Sequence, residues 1–435
     1  MSQTATGPAP RPGSQVNIPV SVPATGTTTP GIPAPPAVRA TGSTPSLLLR
    51  LRILAVVAVL GVTAGLLANL AVTWQVTAQA RADSEQLLRV QGIKVDLLRA
   101  DALATNAFLI GGLEPSSQRA AYDDAISAVS GDIADAADAQ PADKAVLERL
   151  GGEVVDFAEA MEQARANNRQ GYPVGSAYLA QADSRLRAEA LPLVDALVKA
   201  NTTRSQDSVG APQLWIPLVL GLLGAGGLYL VNRRMATVFH RRLNVGVAVA
   251  GAAVIALAGG ATALLAQQSG DNSALLAGPY ATAVAGAEAR SAGNDAKANE
   301  SLRLIRRGSG ATNEKAWGAA STATLAALDR GGLPTTAWQD YATAHGQVVD
   351  LDDGGDWDAA RKLAVSTEQG APTTEFTAFD TAVGRSTADA GRRTSDSLSR
   401  LLTWYPILLG LTLLGGLAAA GLASRGITER LREYE

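Results

Sequence analysis

Cysteine is absent from the 435 residues, histidine occurs twice, and aromatic side chains make up only 4%. The missing thiols exclude disulfide staples, thiolate metal sites and a cysteine nucleophile. Charge is missing too, from four long stretches: Ile53 to Thr73, Leu214 to Val231, Leu243 to about Ala266, and Leu402 to Ala423. At a rise of about 1.5 Å per residue each is long enough to cross a bilayer, so the chain reads as a multispanning membrane protein rather than a soluble enzyme. Trp74, Trp215, Tyr229, Trp404 and Tyr405 stand at the ends of these blocks, where amphipathic rings favour the headgroup region. Ala78 and Ala80 imitate a signal-peptidase site. The apolar block before them is too long and begins too far from the N-terminus for a cleaved leader.

What is present sorts by charge. Residues 1–52, 232–242 and 425–435 together hold eleven basic and three acidic residues, whereas 75–213 and 268–401 hold 26 basic and 37 acidic ones. The positive-inside rule then puts both termini and the middle loop in the cytoplasm and both large segments outside the plasma membrane. The expected order is a Pro/Thr-rich disordered cytoplasmic tail at 1–46, a first span at 47–74, an extracytoplasmic four-helix bundle at 75–213, a second span at 214–231 and a basic loop at 232–242. A third span at 243–267, a second extracytoplasmic helical bundle at 268–401, a fourth span at 402–424 and a short cytoplasmic tail at 425–435 follow. The fold class is therefore an all-α membrane protein with four transmembrane helices and two extracytoplasmic bundles. The matching shift of about 190 residues between the halves gives a tandem span-bundle-span repeat. Its best local echo is Asp101-Ala102 against Asp295-Ala296.

The first outer segment carries helical stripes. Val90, Ile93, Leu97, Ala100, Ala104, Ala107 and Gly111 form one. Tyr122, Ile126, Val129, Ile133 and Ala136 form a second after Pro115. Leu147, Leu150, Val154, Phe157, Met161 and Ala164 form a third after Pro141, and Leu179, Ala182, Leu186, Ala190, Leu193 and Leu197 a fourth. The first and last helices are expected to run on into the spans, with kinks at Pro192 and Pro212. In the second segment Trp317, Ala320, Thr324 and Ala327, then Trp338, Tyr341, His345 and Val348, then Phe376, Phe379 and Val383 define helices. A short extra helix is expected over Trp357 to Ser366, with no role assigned to it.

Catalytic chemistry is not visible. His240 lies among arginines and His345 on an apolar stripe, neither with partners spaced for a metal or a triad, and His345 reads as a packed core residue. The run Asp350, Asp352, Asp353, Asp356, Asp358 fails as a calcium loop, because the twelfth position from Asp350 is Arg361. Capping and solvation explain it better. Gly308 and Gly310 lack the Lys-Ser or Lys-Thr of a phosphate loop. The uncharged spans argue against transport, and their glycines for close helix packing. No catalytic, cofactor-binding or metal-binding residue is assigned, no cofactor is expected, and the ligand-binding residues stay unknown.

Each half resembles the span, four-helix-bundle, span sensory module of bacterial chemoreceptors and sensor kinases, but no signalling helix or kinase follows the fourth span. The Ala, Gly and Arg-rich composition, the doubled topology and the segment Asn294 to Gly310 resemble the actinobacterial four-span GlnX type of membrane signal transducer, associated with a glutamine-binding lipoprotein and protein kinase G. That resemblance implies a non-enzymatic relay of amino-acid availability from an extracytoplasmic solute-binding lipoprotein to a cytoplasmic Ser/Thr protein kinase. The lipid bilayer is a further partner, nucleic acid is not, and a homodimer is left open. The alternative is a structural or accessory protein in envelope assembly or a transporter complex.

Overall fold

A computed structural model describes residues 44–111, 114–171, 173–208, 213–239 and 244–431. The Pro/Thr-rich tail up to residue 43, Pro212, and residues 240–242 of the basic loop, His240 among them, lie outside the described residues. Twelve α-helices make up the regular structure described, together with two π-helical turns: α1 (Thr44–Ile110), α2 (Ser116–Ala139), α3 (Lys144–Arg169), α4 (Val174–Arg185), α5 (Leu191–Ser208), α6 (Trp215–Phe239), α7 (Val245–Leu275), α8 (Ala281–Ile305), α9 (Ala311–Arg330), α10 (Thr336–Asp353), α11 (Trp357–Ala364) and α12 (Pro372–Leu431). The fold is all-α among the described residues, and α1, α6, the α7–α8 pair and α12 each contain a stretch long and apolar enough to cross a membrane.

These four stretches pack on one another through Leu48, Val59, Leu66, Leu228, Val254 and Ala423. Their outer faces stay apolar and open, as at Leu223, 68% exposed, and Leu414, 66% exposed. That pattern suits a solvent as apolar as the side chains themselves, in which tight packing rather than water exclusion holds helices together. Glycines let it happen. A Cβ on Gly416 would lie within 2.8 Å of Thr63 on α1, and α7 meets α12 backbone to backbone, where a Cβ on Gly426 would stand 2.7 Å from the Gly246 Cα.

The far half of α1, with α2, α3 and the α4–α5 pair, encloses a first bundle core of Val90, Ile93, Leu97, Val129, Leu150 and Phe157. The predicted stripes on α1 and α3 are the buried faces. On the fourth helix the register changes: Leu186–Ala190 is a π-turn, whose extra residue per turn brings Val194 inward where the stripe predicted Leu193. The same turn precedes Pro192, which has no N–H and would leave a carbonyl of an ordinary α-turn without its donor.

One expectation is corrected. The last helix of the first bundle does not run on into the second span: α5 ends at Ser208 and α6 starts at Trp215, with Gly210 and Pro212 in the sequence between. The expected continuity holds in α1, 67 residues long, and in α12, 60 residues long, which runs unbroken from the Phe376 stripe into the fourth apolar stretch. The α7–α8 pair is joined through a π-turn at Leu276–Tyr280 and bends there, because Gly278 leaves helical geometry (φ −114°, ψ −108°) just before Pro279.

The second core is aromatic. Trp338, Tyr341, Phe376 and Phe379 pack edge-on, with centroids 4.8 Å apart for Trp338–Phe379 and 5.3 Å for Tyr341–Phe376. Such offset pairs stabilise beyond their buried area. α1 packs along both α8 and α12, so the two bundles stand side by side, and Leu302 of α8 reaches into the first core.

Candidate signal-relay interface

The residues that join the bundles come from α8, and its sequence would ordinarily be a solvated face. Asn294, Lys297, Asn299, Glu300, Ser301 and Arg303 are nevertheless all buried, because α8 is packed against α1, α9, α11 and α12 at once. Burial of that many polar groups is tolerable only if they satisfy one another.

Glu300, fully buried, accepts from Lys297 Nζ at 2.5 Å and pairs with His345 Nδ1 at 2.9 Å. The opposite ring nitrogen, Nε2, faces Glu314 at 3.3 Å, and Trp317 stacks on the imidazole at 3.8 Å. Arg303 then extends the network to Glu314 at 3.2 Å, Asp352 at 3.0 Å and Asp353 at 2.5 Å. Burial alone would raise the Glu300 carboxyl, but the Lys297 charge and the His345 contact outweigh it and hold it at about 2. Burial likewise works against a charged His345, and the two carboxylates that hydrogen-bond it carry its pKa above the ordinary histidine value. His345 is thus a core residue, as its stripe predicts, but one locked between acids that lie 45 and 31 positions away in the chain.

Between the bundles stands Arg187, on the first π-turn. It donates from Nε to Asp183 at 2.7 Å and from Nη1 to Asp295 of the other bundle at 2.6 Å, and its Nη2 lies 3.6 Å from Asp101. The Asp101 and Asp295 echo of the two halves therefore converges on one guanidinium. Asp101 is fully buried and neither carboxylate oxygen has a hydrogen-bond partner. Its burial, with repulsion from Asp183, lifts its pKa to about 8 despite Arg187. Alongside, a cleft of about 610 Å³ opens between α1, α5, α8 and α9, lined by Gln91, Lys94, Asp195, Asp295 and alanines of α9.

Two further joints hold the assembly at its ends. Away from the apolar stretches, Trp357 Nε1 of the short α11 donates to Leu304 O at 2.8 Å, while Arg361 Nη1 reaches Leu109 O at 3.4 Å and Ile110 O at 3.5 Å. The extra helix is a strap across the tips of α1 and α8. Where the bundles meet the apolar stretches, Tyr280 OH donates to Ser205 Oγ at 3.0 Å, Gln268 Nε2 to Thr77 Oγ1 at 3.1 Å, and Tyr405 OH to Gln268 Oε1 at 2.7 Å. These bonds tie α1, α5, α7 and α12 into one unit. A displacement of either bundle against the other must then be carried into the long helices, since packed interiors transmit strain rather than absorb it.

The acidic run supplies the expected cap, Asp356 accepting from Ala359 N at 3.1 Å to start α11, but Asp352 and Asp353 are not simply solvated: they hold Arg303 in ion pairs that the sequence did not suggest. Gly308, at φ +75°, turns the chain between α8 and α9. Among the described residues no group of three His, Asp or Glu side chains is placed to hold a metal ion. Sequence spacing missed the Glu300–His345–Glu314 and Asp101–Arg187–Asp295 clusters. The signals present were the Asp101 and Asp295 echo, read only as a repeat, and the density of polar residues from Asn294 to Arg303.

No curated protein and no solved structure matches the chain. The family model described as actinobacterial sensor domain matches residues 76–210, about a third of the chain and nearly the whole of the first bundle, and in that segment the protein is similar to actinobacterial sensor proteins.

Proposed function

We propose that the protein is a non-enzymatic transmembrane signal transducer. Both bundles face the outside of the plasma membrane and the 232–242 loop and both termini face the cytoplasm. The bundles receive a signal, amino-acid availability presented by a solute-binding lipoprotein, and the cytoplasmic pieces deliver it to a separate Ser/Thr protein kinase. The observation that carries this reading is the unbroken course of α1: one 67-residue helix forms part of a span, the core of the first bundle and the wall against α8 and α12. The sensor-domain match over residues 76–210 and the excess of arginine at the proposed cytoplasmic pieces support it.

Mechanically, a contact that moves one bundle by about 1 to 2 Å relative to the other would shift α1 against α12 along their length, because such interfaces have discrete packings rather than a continuum. Only a partner that prefers one packing can drive the change. In-cell crosslinking followed by purification of the intact protein tests the reading. Recovery of an external solute-binding lipoprotein together with a cytoplasmic kinase supports it. Recovery of envelope or permease components alone refutes the relay and favours an accessory role.

A further inference from the structure

The tip of the first bundle holds a cavity that the relay interface does not use. It measures about 290 Å³ and lies where α1 ends at Ala107 and Phe108, α2 begins at Ser116 and Arg119, and α3 ends at Arg165, Asn168 and Arg169. That size is at the lower edge of ligand pockets, which run from about 300 to 1,000 Å³, and so suits a small molecule.

Its polar groups are incompletely matched. Arg165 is only 8% exposed, and its guanidinium carbon lies over the Tyr122 ring, 3.9 Å from the centroid. Nη1 is engaged by Glu162 at 2.8 Å, but Nε and Nη2 have no hydrogen-bond partner, and the nearest acid, Glu114, stands 3.5 Å from Nε. Glu114 contributes the converse: its Oε1 is buried with no donor. On the rim Arg169 is exposed and forms no ion pair among the described residues, whereas Arg119 is occupied by Asp123 and Glu162. The N-terminus of α2 also opens here, and Pro115 before it supplies no capping side chain. Free N–H groups and the positive end of the helix dipole favour an anion at that point.

Arg165 and Glu114 pair only loosely across 3.5 Å, and the guanidinium N–H groups and the carboxylate oxygen left without hydrogen bonds in one small cavity call for a ligand that offers an acceptor and a donor together. A lone carboxylate or phosphate would answer the arginines and face Glu114 with repulsion; a lone amine would do the opposite. We propose that this cavity binds a small zwitterion of the amino-acid type, its carboxylate on Arg165, Arg169 and the start of α2, and its ammonium on Glu114. Such a ligand would pull α1, α2 and α3 together at the tip. As an input signal this deepens the sensing function and rests on it, but binding itself does not.

The test is isothermal titration calorimetry of the full-length protein in lipid nanodiscs with glycine, aspartate and glutamine, and with acetate, methylamine and inorganic phosphate as controls. Saturable binding of at least one amino acid, at least about tenfold tighter than acetate or methylamine, is expected. Arg169→Ala, at an exposed position, should weaken it several-fold without disturbing the fold. Arg165→Ala, which removes a buried charged partner, should weaken it by about a hundredfold. Glu114→Gln should erase the preference for the amino acid over acetate. No saturable binding, tighter binding of phosphate or acetate, or binding indifferent to all three substitutions would overturn the proposal. If binding holds while no lipoprotein or kinase is recovered by crosslinking, the site stands and the relay falls; the reverse result rejects the site alone.

Discussion

Asp101 offers the sharpest energetic test of the bundle interface. Three carboxylates surround the single Arg187 guanidinium, and two of them, Asp183 and Asp295, already hold its Nε and Nη1. The third, Asp101, is fully buried, has no hydrogen bond and lies 3.6 Å away, so its ionisation is poorly compensated. Its pKa is about 8 in the folded protein against 3.8 for a free aspartate. A raised carboxyl means that the folded state keeps a proton the unfolded state releases, so Asp101 lowers stability progressively as pH climbs from 3.8 towards 8. At about 1.4 kcal/mol per pH unit the ceiling near neutrality is roughly 4 kcal/mol, and relaxation around the coupled cluster reduces this to about 1 to 3 kcal/mol. Asp101→Asn keeps the shape and removes the ionisation. It should therefore stabilise the protein at pH 7.5 by that amount, a rise of roughly 1 to 6 °C in Tm, and the gain should vanish near pH 4. Circular dichroism melts in nanodiscs across that pH range provide the assay. A lower Tm for Asp101→Asn at neutral pH would refute the reasoning, since it would mean that Asp101 is ionised and paired with Arg187.

The second bundle should show the opposite acid response. Glu300, held at about 2, contributes stability that is present above pH 4.5 and lost as pH falls through 2; His345, raised above 6.5, contributes stability that is present below 6.5 and lost as pH rises through its folded value. Hydrogen exchange in α8 should therefore be slowest between about pH 4.5 and 6.5 once the intrinsic pH dependence is removed, and His345→Gln should abolish only the alkaline loss. Glu300→Gln leaves Lys297 short of a buried counterion and should cost about 3 to 5 kcal/mol, read as a fall in Tm. Gly426→Val should drive α7 from α12, because its Cβ would meet Asn244 Oδ1 at 2.5 Å and Gly246 Cα at 2.7 Å, at about 1 to 3 kcal/mol; Gly421→Val, with nothing within 4 Å, should leave Tm unchanged. Arg361→Ala should speed exchange at the end of α1 by releasing the strap, while the Trp338–Phe379 core stays protected.

Local periodicity carried the fold a long way because a helix's buried face is written within the helix itself. Val90, Ile93 and Leu97, or Leu147, Leu150 and Val154, need no knowledge of a partner to be recognised as core. One position after Ala190 shifted for a local reason that periodicity does not encode: the π-turn buries Val194 and leaves Leu193 half-buried, while Leu197 is buried as the stripe predicts. The polar network was illegible for a different reason. Glu300, Glu314 and His345 sit on three different helices, and only the packing of those helices makes them neighbours. The Asp101 and Asp295 echo was visible as a repeat, but Arg187, which gives it meaning, lies outside both copies of the motif. The tip cavity was hidden likewise, because Glu114, Arg165 and Arg169 meet only when α2 folds back onto α3.

A relay requires the bundles and the 232–242 loop to face opposite sides of the membrane. Because the chain has no cysteine, single cysteines at Ser130 in α2, Thr367 after α11 and Thr237 near the end of α6 can be probed on intact cells with a membrane-impermeant maleimide; all three positions are exposed in the fold. Labelling at Ser130 and Thr367 with silence at Thr237 until the cells are opened is the predicted result. Labelling at Thr237 with silence at the two bundle positions would contradict the orientation and the relay built on it.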